Sequence, residues 1–179
     1  GGEGEGIAFQ SDSMFNIFIG KNAGDANIYG GSGGGTGSAN TSLGYQTLQA
    51  NTSGKYNAAF GTHALNAVTT GNSNTGCGPN TCLLLTTGSS NSAIGHDARR
   101  VCLTGSSNTA VGAAALNANT ASFNTAIGAS ALLVCTSGQF NVAVGYNSLS
   151  AVTTGDSNIG FGLGAGLNIT TGSQNLIIG

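Results

Sequence analysis

Asn141-Val-Ala-Val-Gly-Tyr-Asn-Ser-Leu-Ser-Ala-Val-Thr-Thr-Gly-Asp-Ser157 is one of a series of near-copies, and its length decides the fold. Its opening recurs as Asn-Thr-Ala-Val-Gly at Asn108 to Gly112 and as Asn-Thr-Ala-Ile-Gly at Asn124 to Gly128. Ten Asn residues are each followed by Gly four positions later: Asn16, Asn40, Asn57, Asn74, Asn91, Asn108, Asn124, Asn141, Asn158 and Asn175. From Asn40 onward they are 17 residues apart, with a single spacing of 16 between Asn108 and Asn124. A fixed period near 20 residues marks a solenoid in which each copy is one coil.

With the Asn as position 1, position 4 is apolar in every copy and position 9 is mostly Leu. Positions 13 and 14 are mostly Thr or Ser. Position 15 is Gly except where Ser122 stands, counting forward from Asn108. Helix is disfavoured, because each copy carries at least two Gly and each costs about 1 kcal/mol in a helix relative to Ala. Short apolar stretches cut by Gly suit short strands joined by tight turns with φ > 0. The expected fold is therefore all-β, a parallel β-solenoid of about ten 17-residue coils, each of two or three short strands. Coils about 4.8 Å apart would build a rod about 45–50 Å long. The body spans residues 16–179, with residues 1–15 as an N-terminal segment and a Gly-rich loop inserted at 30–38.

Stacking gives the conserved positions a physical reason. Asn40, Asn57, Asn74, Asn91, Asn108, Asn124, Asn141 and Asn158 become an Asn ladder whose amides bond along the stack. Neighbours on a strand point to opposite faces. Positions 3 and 4 are nevertheless both small or apolar, and so are 8 and 9. One member of each pair is expected inside and the other outside. A coil this small encloses little core, so the outer apolar row should pack on other chains. A parallel homotrimer is the economical arrangement, and a monomer with an exposed stripe is the alternative.

Charged residues are 6% of the 179 residues and the net charge is −2, against about 25% charged in an ordinary soluble domain. Such a chain carries no basic patch for nucleic acid. No apolar run approaches the ~20 residues of a membrane span. A surface of Ser, Thr, Asn and Gly with few Lys or Arg fits an extracellular, cell-surface or virion fibre. No cofactor or metal is expected. The regular Asp of calcium-binding nonapeptide repeats is missing, the 30–38 loop lacks the closing Gly-Lys-Ser/Thr of a phosphate loop, and His63 and His96 stand about two coils apart.

Several residues admit other roles. Cys77 and Cys82 take apolar positions 4 and 9, where Cys serves as a small buried hydrophobe, and they are also a candidate disulfide. Cys102 and Cys135 are two coils apart, about 9–10 Å, beyond the ~7 Å a disulfide spans. Arg99 breaks the Leu row and, with Arg100 and Asp97, forms a charge cluster read as a candidate contact site or a surface irregularity. Asn51 and Asn168 head Asn-x-Ser/Thr sequons and are candidate glycosylation sites. The Thr rows admit an ice-binding reading, although Thr is also a favoured strand residue. With adjacent Thr, one row would point inward or into the turn.

The ends suggest growth. Asn175-Leu-Ile-Ile-Gly179 supplies positions 1 to 5, and residues 4–15 supply positions 6 to 17, placing Ile7 on position 9. Two chains could complete one coil head to tail, and a stretch of a longer solenoid would give the same arithmetic. The residues expected at that contact are Ile7, Phe9, Phe15, Asn16, Ile17, Ile19, Asn175, Leu176, Ile177 and Ile178.

Asn108 to Leu116, Asn141 to Leu149 with the following Ala151-Val-Thr-Thr-Gly155, Asn16 to Gly24, and Gly164 to Gly179 resemble the repeats of tail-fibre-type proteins of phages and bacteria. Those proteins often carry a C-terminal self-cleaving chaperone domain. More loosely, the repeats are similar to the heads of trimeric autotransporter adhesins. The resemblance covers nearly the whole chain and implies a fibrous, often trimeric shaft on a cell or virion surface. With His63 and His96 about two coils apart and only Asp97 beside either, no catalytic set is expected and the shaft is read as non-enzymatic. Its partners would be copies of itself. A receptor-binding or adhesin fibre, meeting a cell-surface receptor or glycan, is the alternative.

Overall fold

The structure, a computed structural model, describes residues 7–8, 15–29 and 36–179. It is an all-β solenoid built on one sheet. After β1 (Ile7–Ala8) come ten three-residue strands in chain order. These are β2 (Ile17–Ile19), β3 (Thr41–Leu43), β4 (Ala58–Phe60), β5 (Thr75–Cys77), β6 (Ser92–Ile94), β7 (Thr109–Val111), β8 (Thr125–Ile127), β9 (Val142–Val144), β10 (Ile159–Phe161) and β11 (Leu176–Ile178). Each pairs in parallel with the next, same position to same position, as in Thr75↔Ser92, Gly76↔Ala93 and Cys77↔Ile94. Among the described residues there is one short helix, α1 (Asp25–Tyr29), which follows β2. Eight full coils run between Asn40 and Asn175.

Each coil holds one strand rather than two or three. The reason is the backbone. Besides the Gly at position 5, non-glycine residues at positions 7, 9 and 17 have positive φ: His63 57°, Leu65 52° and Ser73 56° in one coil. A left-handed residue interrupts any strand. The coils still bond one another around the circuit. Leu65 N–H donates to Thr81 O at 2.9 Å, Thr69 N–H to Thr86 O at 2.9 Å, and Ser73 N–H to Lys55 O at 2.8 Å. Because most of the backbone bonds around the circuit link coil to coil, the strain of each left-handed residue, of order 1 kcal/mol or more, is held by the stack. In the first and last coils Gly24 and Gly166 take position 9, with φ of 63° and 69°.

Among the pairs left open by the sequence, positions 3 and 4 split and positions 8 and 9 do not. Ala59, Ala93, Ala110, Ala126 and Ala143 at position 3 are buried. Leu43, Phe60, Ile94, Ile127 and Phe161 at position 4 are exposed. At positions 8 and 9, Ala64 and Leu65, Ala115 and Leu116, and Ala131 and Leu132 are all buried. The left-handed φ at position 9 turns that side chain to the same side as its neighbour. With Val68, Leu85 and Val152 at position 12, these rows form the core. Leu116→Ala should cost about 2–5 kcal/mol by leaving a void between rigid coils, measurable by denaturant unfolding.

The 16-residue coil lacks position 14. Ala121 O accepts from Asn108 Nδ2 at 3.0 Å, the bond that Gly O makes elsewhere, and Ser122 Oγ accepts from Ser106 N–H at 3.0 Å in the position-16 row. Ala121, not Ser122, therefore stands in the Gly row. Gly37 and Ser38 likewise belong to the rod rather than to the inserted loop. Gly37 O accepts from Asn16 Nδ2 at 2.8 Å, and Tyr56 N–H donates to Ser38 O at 3.0 Å. Residues 30–35 of that loop lie outside the described residues.

Candidate functional site: an outward strand face

The Asn ladder fixes the strands beneath this face. Asn57 Oδ1 accepts from Asn74 N–H at 2.9 Å and from Asn74 Nδ2 at 3.1 Å. Asn57 Nδ2 donates to Asn40 Oδ1 at 3.1 Å and to Gly71 O at 2.9 Å. The pattern continues to Asn158, and Asn175 Nδ2 donates to Asn158 Oδ1 at 2.8 Å. At the shortened coil Asn124 Nδ2 turns to Ser122 O (3.2 Å) and Gly138 O (2.8 Å), and only its backbone N–H reaches Asn108 Oδ1, at 3.0 Å. The ladder Asn from Asn16 to Asn158 are buried. A buried amide with its hydrogen bonds filled rigidifies what it touches.

Outside the ladder, positions 2 and 4 of every strand point to solvent. Position 4 supplies Leu43, Phe60, Ile94, Ile127, Phe161 and Ile178, and position 2 adds Ile17, Ile159 and Leu176, all exposed. Position 17 adds Phe15, Tyr56, Phe123 and Phe140, and position 6 adds Tyr45 and Tyr146. Phe123 and Phe140, in consecutive coils, stack with ring centroids 5.2 Å apart and planes 5° apart. An apolar face this long is more than scattered exposed hydrophobics, and faces of this kind mark association surfaces.

The residues singled out from sequence are placed as follows. Ile17 is outward and Asn16 is buried, with Asn16 Oδ1 accepting from Asn40 N–H at 2.9 Å. Ile19 at position 4 is half-buried, and Phe15 is 81% exposed. Ile7 is not at position 9. It pairs antiparallel with Ile19, and Ala8 pairs with Phe18, so β1 lies along the edge of β2 where a shared coil was expected. Phe9 lies outside the described residues. At the other end Leu176 and Ile178 are exposed, Ile177 is half-buried, and β11 is paired on one side only.

Cys77 and Cys82 do not form a disulfide. Cys77 is exposed on the outer face, Cys82 is buried at position 9, and the wall of the coil separates them. Cys77 is thus not a buried hydrophobe either. Cys135, at position 12, is a buried thiol pushed up from its ordinary pKa by burial, with a hydrogen bond from Asn119 partly opposing.

Arg99 is not a surface contact residue. It is 0% exposed, at the Leu position inside the coil. Arg100 is exposed, its Nε 3.8 Å from Asp97 Oδ1, and Asp97 Oδ1 also accepts from Asn80 Nδ2 at 3.0 Å. Asn51 is buried and no acceptor for a glycan, since its Oδ1 accepts from Gly54 N–H at 2.9 Å and its Nδ2 donates to Gly54 O at 3.2 Å. Asn168 is exposed. Neither Thr row points inward. At position 13 the hydroxyls are committed along the stack, as Thr86 Oγ1 to Leu103 O at 2.9 Å and Thr120 Oγ1 to Thr136 O at 2.8 Å.

Among the described residues, no group of three His, Cys, Asp or Glu could hold a metal ion. No helix there is long and apolar enough to cross a membrane. Sequence reasoning missed which apolar row faces outward and that Arg99 is interior. Compared with protein-family models, curated proteins and solved structures, the chain matches none.

Proposed function

We propose that this chain is a non-enzymatic structural subunit of an extracellular or virion-surface fibre, built by side-by-side packing of its outward strand faces in a parallel homotrimer. The observation that carries the reading is the exposed apolar row at position 4, set on a wall that the buried Asn ladder holds rigid. Ten strands at about 4.8 Å give a strip about 45 Å long. Across positions 17, 2, 4 and 6 it offers about 600–900 Å², the area each partner buries in a standard interface. Copies of one chain share its rung spacing, so their rows match in register, which an unrelated partner would not guarantee. The similarity to tail-fibre-type repeats points the same way. End-to-end contact through β2 would require β1 to leave it.

The test is mass in solution by light scattering, with cryo-electron microscopy of the same sample. Rods of three-chain mass are expected. Replacing Phe60, Ile94 and Ile127 together by Lys should give single chains with unchanged circular dichroism, since these side chains meet solvent in the lone rod. A wild-type protein that stays single-chain at high concentration overturns the lateral reading. Filaments with an axial repeat of about 45–50 Å would show end-to-end growth.

A further inference from the structure

Three departures from the repeat meet at one point inside the rod. Row 9 reads Leu48, Leu65, Cys82, Arg99, Leu116, so Cys82 and Arg99 replace Leu in consecutive coils. Cys102 takes the position-12 site where Val68, Leu85 and Val152 stand in other coils. All three are buried. Only Nη2 of the Arg99 guanidinium is bonded, to Gly105 O at 2.9 Å, while Nε and Nη1 have no partner of ordinary geometry among the described residues. Asp97, the carboxylate nearest in sequence, meets Arg100 and His96 at the surface instead. Cys102 Sγ lies 2.8 Å from Arg99 O, three residues along the same coil, and Cys82 stands one rung from Arg99 in row 9.

We propose that Arg99, Cys82 and Cys102 form a buried redox-modification site, in which Cys82 is the counter-ion of Arg99 and a peroxide-class oxidant joins the two cysteines in a disulfide linking adjacent coils. A buried guanidinium without an anion is too costly to keep in a core that Leu would fill. The sulfur one rung away is the group available to balance it. The surroundings of the two thiols push them in opposite directions. The Cys102 hydrogen bond and the Arg99 charge lower the Cys82 thiol, against its burial. Burial, followed by Cys82 itself, raises Cys102 well above the ordinary thiol. The opposite directions favour Cys82 as the nucleophile and Cys102 as the sulfur that holds the proton.

The chemistry balances. The Cys82 thiolate attacks one peroxide oxygen, the O–O bond breaks, hydroxide leaves, and Cys82 becomes a sulfenic acid. The Cys102 sulfur then displaces that oxygen from Cys82, its proton leaves with the hydroxyl as water, and the S–S bond forms. One thiolate, one thiol and one peroxide give one disulfide, one water and one hydroxide. Oxidation removes the anion beside Arg99, so the disulfide is readily reduced again.

The test uses the full chain carrying Cys77→Ser, so that only interior thiols react. Before oxidation, ultraviolet absorbance should show one thiolate at neutral pH, lost in Cys82→Ser and in Arg99→Leu. The groups acting on Cys82 are Cys102 and Arg99. Because Cys82 is lowered in the folded state, its own contribution to stability is present above the ordinary thiol range and fades as pH falls through the folded value. Arg99→Leu should lose this acid sensitivity and melt at a higher temperature. After hydrogen peroxide, intact mass should fall by two hydrogens, mapping to Cys82 and Cys102. In Arg99→Leu the reaction should slow by an order of magnitude through loss of the thiolate. Cys102→Ser should stop at a sulfenic acid on Cys82 that a carbon nucleophile traps. If Arg99→Leu fails to fold, Arg99→Lys must keep the thiolate and the disulfide. No neutral-pH thiolate, or peroxide oxidation at an unchanged rate without Arg99, overturns the proposal.

Discussion

Asn91→Ala is expected to cost about 3–5 kcal/mol, more than most single substitutions in a domain of this size. Four bonds end on that side chain. Its Oδ1 accepts from Asn108 N–H at 3.0 Å and Nδ2 at 3.2 Å, and its Nδ2 donates to Asn74 Oδ1 at 2.9 Å and Gly105 O at 3.0 Å. Ala leaves the Asn108 N–H inside the rod without a partner, where water cannot replace it, and takes from the Gly105 carbonyl one of its two donors, Arg99 Nη2 remaining. Each buried orphan costs about 1–3 kcal/mol. Asn175→Ala is the control. It is half-buried and donates to Asn158 Oδ1 with no described coil beyond it, so about 1 kcal/mol is expected. Denaturant unfolding followed by circular dichroism compares the two. Equal losses would mean that the ladder's interior amides carry no special burden.

Gly155→Ala should be as damaging for a different reason. A Cβ there would sit 2.1 Å from Gly172 O, a backbone atom of the next coil. That carbonyl accepts from Asn158 Nδ2 at 2.8 Å, so moving it pulls on the ladder as well. The coils would have to part locally, a loss of about 3 kcal/mol or more, at the top of the overpacking range. The strain is one of spacing, because Gly155 is not in the left-handed region. Gly164→Ala separates the two effects. Its φ is 63° and nothing lies within 4 Å of its Cβ, so only backbone strain of about 1 kcal/mol is expected. Thermal and denaturant unfolding of both variants would show the ordering, and a milder Gly155→Ala would mean the coils are looser than their rung spacing implies.

Much of the rod was legible in the spacing of Asn and Gly. Equal spacing stacks like on like, and a ladder of amides is the arrangement that leaves each Asn bonded. The shortened coil was legible only as a missing residue. Counting from Asn108 put Ser122 in the Gly row and the gap after it, whereas the bonds of Ala121 O and Ser122 Oγ show that the gap falls before that row, at position 14. The head-to-tail arithmetic assumed that residues 4–15 keep the phase of the repeats, yet Ile7 and Ala8 turn antiparallel onto β2. An unpaired sheet edge attracts the nearest available strand, whatever its phase.

The sequence by itself determined the period, the parallel register and the buried Asn row, because translation by one coil superimposes the chain on itself. Only the tertiary structure decided which apolar residue of each pair lies inside. Alternation is ambiguous when neighbours are both apolar. The left-handed φ near 50° at Leu65, Leu116 and Leu132 overrides it at positions 8 and 9, since those conformations survive only where the next coil holds them. The same turn carries Arg99 inward, where a row built for Leu receives a charge that nothing in its local sequence announces.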